Sequence, residues 1–258
     1  MILIVDFSSQ YNQLIARRVR EARVYCQIEP PDISAEAVRR LKPEGIILSG
    51  GPASIYWKNS PKIDPGLLEL GIPVLGICYG MQVMIGALGG AVARAEKREY
   101  GMAELTIRRP VGLFKGVDKH TPCWMSHGDS PAEVPPGFHV TASTENTRIA
   151  AMADPKRKFF GLQFHPEVVH TPKGGVMLRN FLFNVCGCKK TWTMKSFARE
   201  SAKEIRTAVG DSRVILGLSG GVDSSVAALL IHRAVGKRLT CIFVDNGLLR
   251  KDEAKKLK

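Results

Sequence analysis

Long hydrophobic runs are missing from this 258-residue sequence. No apolar stretch reaches the roughly 18 to 20 residues that cross a bilayer, so no membrane segment is expected. The opening Met-Ile-Leu-Ile-Val-Asp lacks the basic region and cleavage site of a signal peptide, and the expected setting is the cytoplasm. Cysteine is sparse: Cys26, Cys78, Cys123, Cys186, Cys188 and Cys241 form no CxxC pair, and Cys186-Gly187-Cys188 has no second pair of ligands. That spacing predicts neither a zinc site nor a disulfide framework. Five of the six read as small hydrophobes, and Cys78 stands apart. Aromatics make up 7%, and acidic residues are outnumbered, 24 against 37 Lys and Arg, for a net charge of +13. The excess concentrates in residues 186–258, with 15 basic and 7 acidic side chains. A nucleic-acid binder would interleave such a stripe with aromatics, so no nucleic-acid partner is expected. The 45% hydrophobic content and mean hydropathy of −0.03 exclude disorder and collagen-like repeats.

Apolar runs alternate with amphipathic stretches over the first ninety residues. The pattern predicts strands over 2–7, 24–28, 45–49 and 73–77, and helices over 11–21, 34–41 (with Ser34 as N-cap) and 79–88. Repeated strand–helix–strand units imply a parallel sheet covered on both faces. Residues 91–165 are richer in turns, with short strands expected over 106–107, 122–125, 139–143 and 159–164, and a closing helix over 175–185. This gives a first domain over 1–187, a linker over 188–193 and a second unit over 194–258. In the second unit, a helix over 194–209 precedes a strand over 213–218, a Gly-rich turn over 219–225, a helix over 225–235 and a strand over 239–244. A basic helical fragment follows. One βαβ unit cannot bury both faces of its strands, so the second unit is expected to be incomplete.

Three strand ends in the first domain carry chemistry. Gly76-Ile77-Cys78-Tyr79-Gly80 joins a strand to a helix. Small residues two before and two after a nucleophile permit the sharp turn that lifts it above a sheet edge, and a helix N-terminus favours thiolate. Alone, the pentapeptide also suits a buried structural cysteine. His165-Pro166-Glu167 follows another strand, where Glu167 can hold the His165 imidazole in the tautomer a thiol nucleophile requires. Ser49-Gly50-Gly51-Pro52 ends a third, and the Gly51 and Tyr79 amides form a candidate oxyanion hole. In the second unit, Ser219-Gly220-Gly221-Val222-Asp223-Ser224-Ser225 joins strand to helix as an anion cradle. It is not a Walker A loop, because no Gly-Lys-Ser/Thr follows.

The first set, with Met81-Gln82, resembles the class I (triad) glutamine amidotransferases over about residues 1–187. That resemblance implies a flavodoxin-like open sheet, parallel to mixed, and hydrolysis of glutamine through a thioester. Cys78 would attack, His165 would serve as base and then acid, and Glu167 would orient it. Gln82 would help hold glutamine, and Asp129 of Ser126-His127-Gly128-Asp129 would meet its α-amino group. The loop at 219–225 is similar to the pyrophosphate loop of the N-type ATP pyrophosphatases, an α/β fold of the adenine nucleotide hydrolase kind. This implies ATP with Mg2+ as cofactors of a synthetase half, Asp223 near the magnesium and Val244 near the adenine. The two halves in tandem resemble the glutamine-hydrolysing GMP synthases, aided by Asp6 to Tyr11, Ile15 to Glu21 and Val244-Asp245-Asn246-Gly247-Leu248-Leu249-Arg250. The resemblance implies glutamine, ATP and XMP as substrates, with the XMP site outside this chain, and a homodimer for full-length members. Ser8 departs from it, since the family usually has Gly there. The alternatives are a free-standing glutaminase subunit or a truncated, non-catalytic binding protein.

Overall fold

The computed structural model describes residues 1–110 and 112–244, the side chains of 96 and 97 excepted. The stretch from Asp245 to Arg250 and the basic fragment after it lie outside the described residues. The chain forms two compact units, the first Met1–Thr191 and the second beginning at Trp192.

The first unit opens as alternating strands and helices: β1 (Ile2–Val5), α1 (Asn12–Glu21), β2 (Cys26–Glu29), α2 (Ala35–Leu41), β3 (Gly45–Leu48), β4 (Val74–Ile77) and α3 (Tyr79–Ala87). It continues with β5 (Ala91–Ile107), β6 (His120–Glu133), β7 (His139–Ser143), β8 (Ala151–Asp154), β9 (Phe159–Leu162) and α4 (Gly174–Arg179). The closing helix changes to π-helical winding over Asn180–Val185. Nine strands make one sheet in the order β2-β1-β3-β4-β9-β8-β7-β5-β6. From β2 to β9 the pairs are parallel, and from β9 to β6 they are antiparallel.

The residues of β1 explain its place between β2 and β3. All four are buried: Ile2 and Ile4 face a core with Ile15, Ala16 and Val19 of α1, while Leu3 and Val5 face the opposite core with Met81, Met84 and Ile85 of α3. Burying each such side chain stabilises the fold by about 1.5–3 kcal/mol. Ser34 caps α2 as expected, its hydroxyl accepting from the Ala37 N–H at 3.2 Å.

Two expectations need correction. The piece predicted over 106–107 is the end of the 17-residue strand β5, and β8 is a strand that the sequence pattern does not predict. A charged run such as Arg94-Ala95-Glu96-Lys97-Arg98 has no strand signature of its own. β5 takes its strand conformation from pairing with β6, the edge strand of the sheet, on either side of this run, at 91–94 and 99–106. Ser8 has φ +64° in the turn after β1, with its N–H donating to Asp6 Oδ1 at 2.5 Å. This left-handed backbone is one that glycine adopts without steric cost.

The second unit comprises α5 (Met194–Val209), β10 (Val214–Leu218), α6 (Val222–Val235) and β11 (Leu239–Phe243), with β10 and β11 parallel. Thr193 and Ser196 form a reciprocal cap on α5. The helix expected from residue 225 begins at Val222, since the Gly-rich turn tightens directly into it. Ile215, Val222, Leu229 and Ile242 are exposed. Cys26, Cys123 and Cys188 are buried like other small hydrophobes, whereas Cys241 is exposed on β11. No helix among the described residues is long and apolar enough to cross a membrane.

Candidate active site

The loops after β3, β4 and β9 meet at the C-terminal edge of the parallel strands, where open α/β sheets hold their ligands. Cys78 sits between β4 and α3 with φ +50° and ψ −109°, a strained conformation for a residue with a side chain. Its glycine neighbours make the turn possible. A Cβ on Gly80 would lie 2.3 Å from the Leu48 carbonyl oxygen, and one on Gly76 would lie 2.7 Å from the Met81 backbone. The turn is pinned by the Cys78 N–H to Leu162 O at 2.7 Å and by the Gly80 N–H to Ser49 O at 2.9 Å.

His165 lies just past β9, 4% exposed, and Glu167 is fully buried. His165 Nδ1 and Glu167 Oε1 are 2.8 Å apart. The His165 N–H donates to Trp124 O at 3.0 Å, and Thr171 Oγ1 donates to His165 O at 2.7 Å. Tyr11 packs edge-on against the imidazole at 5.1 Å. Arg18 Nε, on α1, donates to the Glu167 carbonyl at 3.0 Å. A Cβ on Gly50 would stand 2.9 Å from His165 Cε1 and 3.6 Å from Cys78 Cβ, so the thiol and the imidazole flank the Ser49-Gly50-Gly51 turn together.

Burial by itself pulls the His165 pKa down. The Glu167 carboxylate and hydrogen bonding with Cys78 and Glu167 overcome it, and the net pKa is well above the ordinary histidine value. A histidine raised in the folded state contributes stability that is fully present below its unfolded pKa of about 6.5 and is lost as pH rises through the raised value. Glu167→Gln removes the carboxylate charge. The stability gap between wild type and this variant is therefore expected to be widest near pH 6 and to narrow steadily toward pH 9, as measured by urea unfolding. A constant gap would contradict a charged His165–Glu167 pair.

A cavity of about 620 Å3 opens beside Cys78, lined by Gly51, Tyr79, Gln82 and Asp129 among others. Cys78, Gly51, Tyr79, Gln82 and Asp129 thus share one cavity, and His165 adjoins Cys78 at the Gly50 turn. The amide nitrogen of Gln82 is committed to the wall, donating to Asp129 O at 2.9 Å and Gln163 Oε1 at 3.2 Å. Gln163 is an addition from the structure. It is fully buried, and its own Nε2 lies 3.7 Å from Cys78 Sγ. A polar residue inside the apolar run at 159–164 is its only sequence signal. His127 and Glu99 form a pair that sequence reasoning missed. They face each other in register across β5 and β6, both buried, with 3.4 Å between Nε2 and Oε2. Burial lowers the His127 pKa against the opposing pull of Glu99. Cys123, buried on β6, has its thiol pushed up to about 12 by desolvation and by Glu99. It lies in the core and not at the cavity.

The loop at 219–225 is a separate site, open to solvent, where Gly220 takes φ +83°. The Ser219 and Ser224 hydroxyls are 3.1 Å apart, and the Ser224 and Ser225 hydroxyls donate to Gly221 O at 3.1 and 2.9 Å. Because α6 starts at Val222, the amides of Val222, Asp223 and Ser224 belong to its first turn, where backbone donors have no helical partner. Val244 follows β11 and is exposed.

A thiol, an imidazole and a carboxylate thus stand together at the edge of a flavodoxin-like sheet. Residues 3–185 match the family of class-I glutamine amidotransferases, and the chain belongs to it. Residues 195–254 match the NAD synthase family. Among curated relatives, the GMP synthase (glutamine-hydrolyzing) of Heliobacterium modesticaldum is 56% identical over 99% of this chain and 50% of that protein. Its counterpart from Thermosynechococcus vestitus is 54% identical over 100% and 48%. The chain spans about half the length of the curated relatives it matches. Among solved structures, a putative GMP synthase subunit from Thermoplasma acidophilum superimposes with a TM-score of 0.63 at 26% identity, covering 72% of this chain and 93% of that one. A Thermotoga maritima glutamine amidotransferase shares the fold, with a TM-score of 0.53 at 19% identity over 92% and 98%.

Proposed function

We propose that this chain hydrolyses the side-chain amide of glutamine through a thioester on Cys78. We further propose that the ammonia serves an ATP-dependent amination of XMP to GMP, the activity named for its curated relatives. The observation that carries the reading is the buried His165–Glu167 pair standing with Cys78 around Gly50, where Cys78 opens onto the cavity. Cys78 loses its proton to His165, and the thiolate sulfur attacks the amide carbon while the carbonyl electrons move to oxygen. The Gly51 and Tyr79 amides receive that oxyanion. As it collapses, the nitrogen takes the proton from His165 and leaves as ammonia. His165 then removes a proton from water, the hydroxide attacks the thioester, and the thiolate departs to leave glutamate. Glu167 keeps the imidazole oriented and its cation stabilised throughout. Gln82 supports the wall that holds glutamine, and Asp129 receives its α-ammonium.

In the second unit, Ser219, Gly220, Gly221, Val222, Ser224 and Ser225 bind the pyrophosphate end of ATP, and Val244 lies by the adenine. The donor set suits an anion: helix-terminal amides and three hydroxyls on an open turn. Among the described residues no group of three potential metal ligands occurs. Asp223, in the first turn of α6, would sit near a magnesium that arrives on ATP, with phosphate and water as its further ligands. The attached βαβ unit, its exposed apolar side chains and its NAD synthase match favour this reading over a free-standing glutaminase subunit.

A glutamine-shaped diazoketone tests the first half. We expect one equivalent of label, confined to Cys78 and blocked by excess glutamine. Label spread over Cys241 and other thiols, insensitive to glutamine, would remove the support for a glutaminase.

A further inference from the structure

The β5–β6 hairpin is antiparallel, with a small register shift between Ala91 and Val92 and a larger one between Arg94 and Glu99. Arg94 pairs with Asp129 and Glu99 pairs with His127, so residues 95–98 of β5 stand against Gly128 alone. A bulge of this kind re-aims the side chains it carries. Arg94, Arg98 and Asp129 all line the cavity that holds Cys78, and Asp129 is the cross-strand partner of Arg94. A Cβ on Gly128 would lie 3.9 Å from Arg98 Nε and 3.6 Å from the Tyr100 hydroxyl. With no side chain at 128, that face of the cavity stays open beneath the guanidinium.

The end of the bulge is fixed. Glu99 is 8% exposed and accepts from Thr147 Oγ1 at 2.5 Å, Thr144 Oγ1 at 3.2 Å and Asn146 Nδ2 at 3.3 Å. With His127 at 3.4 Å on its other side, it ties the bulge to the turn between β7 and β8. A carboxylate held by several donors and buried beneath an arginine-bearing loop sets the position of its neighbour, Arg98. The cavity wall therefore carries the Asp129 carboxylate and the Arg94 and Arg98 guanidinium groups together with the Cys78 thiol. A free amino acid in its zwitterionic form has the complementary pair of charges, four bonds or fewer from its side-chain amide carbon.

We propose that the β5 bulge is the carboxylate-recognition arm of the pocket, with Arg98 contacting the α-carboxylate of glutamine and Arg94 flanking it. This rests on the glutaminase reading above. A planar guanidinium gives two parallel donors to a carboxylate, and charge-assisted bonds of this type are the stronger ones. Arg98 would thereby select free glutamine over a glutamine side chain within a peptide, whose carboxyl group is consumed in an amide.

Calorimetry on the Cys78→Ala chain tests this, with two probes. L-Glutamine has both α-groups, and 4-aminobutanamide has the amide and the amine without the carboxylate. Glutamine is expected to bind about 10- to 100-fold more tightly than 4-aminobutanamide. Adding Arg98→Ala should weaken glutamine by about that factor and leave 4-aminobutanamide as it was, or still undetectable, with an unchanged melting temperature. Arg98→Lys should restore part of the loss. Arg39→Ala, which removes the same charge from the exposed face of α2, should change neither ligand. Equal weakening of both ligands by Arg98→Ala, no weakening of glutamine, or no preference for glutamine in the parent would each overturn the assignment. If neither probe binds and the wild-type chain neither releases ammonia nor takes the diazoketone at Cys78, the glutaminase reading itself falls.

Discussion

Cys78→Ser is expected to leave a folded protein whose ammonia release from glutamine is at least about a thousandfold slower than wild type, a loss of about 4 kcal/mol of transition-state stabilisation. The exchange keeps the Cβ, so the φ +50° turn and its packing against Gly76 and Gly80 remain. Only the reacting atom changes. A thiol is more acidic than a hydroxyl, and the thiolate is a strong nucleophile. A serine hydroxyl must be deprotonated during attack, by a base whose position was fixed for the longer carbon–sulfur bond. Initial rates of ammonia formation over a range of glutamine concentrations, with circular dichroism and a melting curve on the same samples, provide the check. A serine variant within tenfold of wild type would show that the thiol is not the nucleophile.

The second large effect concerns stability. Gly80→Ala places a methyl group 2.3 Å from Leu48 O and 2.6 Å from Leu48 C, both backbone atoms of β3. No rotamer relieves that contact. Either α3 lifts from β3 or the turn at Cys78 opens, and the cost is expected to be about 3 kcal/mol or more. Gly86→Ala supplies the contrast on the same helix. Nothing lies within 4 Å of a Cβ there, and Gly86 is exposed. That substitution should stabilise by about 0.5–1 kcal/mol through helix propensity alone. Urea denaturation of the two variants should move the midpoint in opposite directions. If both shifted the same way, the close approach at Gly80 would not be what requires glycine in the turn.

The parallel half of the sheet is legible in the sequence because β1, β3 and β4 are buried on both faces and read as near-continuous apolar runs. The Cys78 turn is legible because glycine spacing there answers a local steric demand. The long hairpin is not. Its residues alternate charge with alanine, and only the partner strand and the half-open edge make that a strand. Glu99 looks like any other acid in a charged run, although Thr144, Asn146 and Thr147 surround it from more than forty positions away. Gln163 and His127 likewise acquire meaning only from what folds against them. In the second unit, the helix begins at Val222, three residues before the sequence pattern puts it, because a Gly-rich turn and a helix N-terminus share the same residues.

The scattering of the site along the chain also governs how it is assembled. Ser49 to Gly51, Gly76 to Gly80, Trp124 to Asp129 and Gln163 to Glu167 meet only after β3, β4 and β9 have aligned and the hairpin has closed over them. Contacts of such long sequence separation form late, since loop closure must precede them. No partially folded form of the first unit then contains a strained Cys78 beside a paired His165. On the proposed reading, a nascent or locally opened chain is expected to show no reactivity toward amides until these four segments have come together.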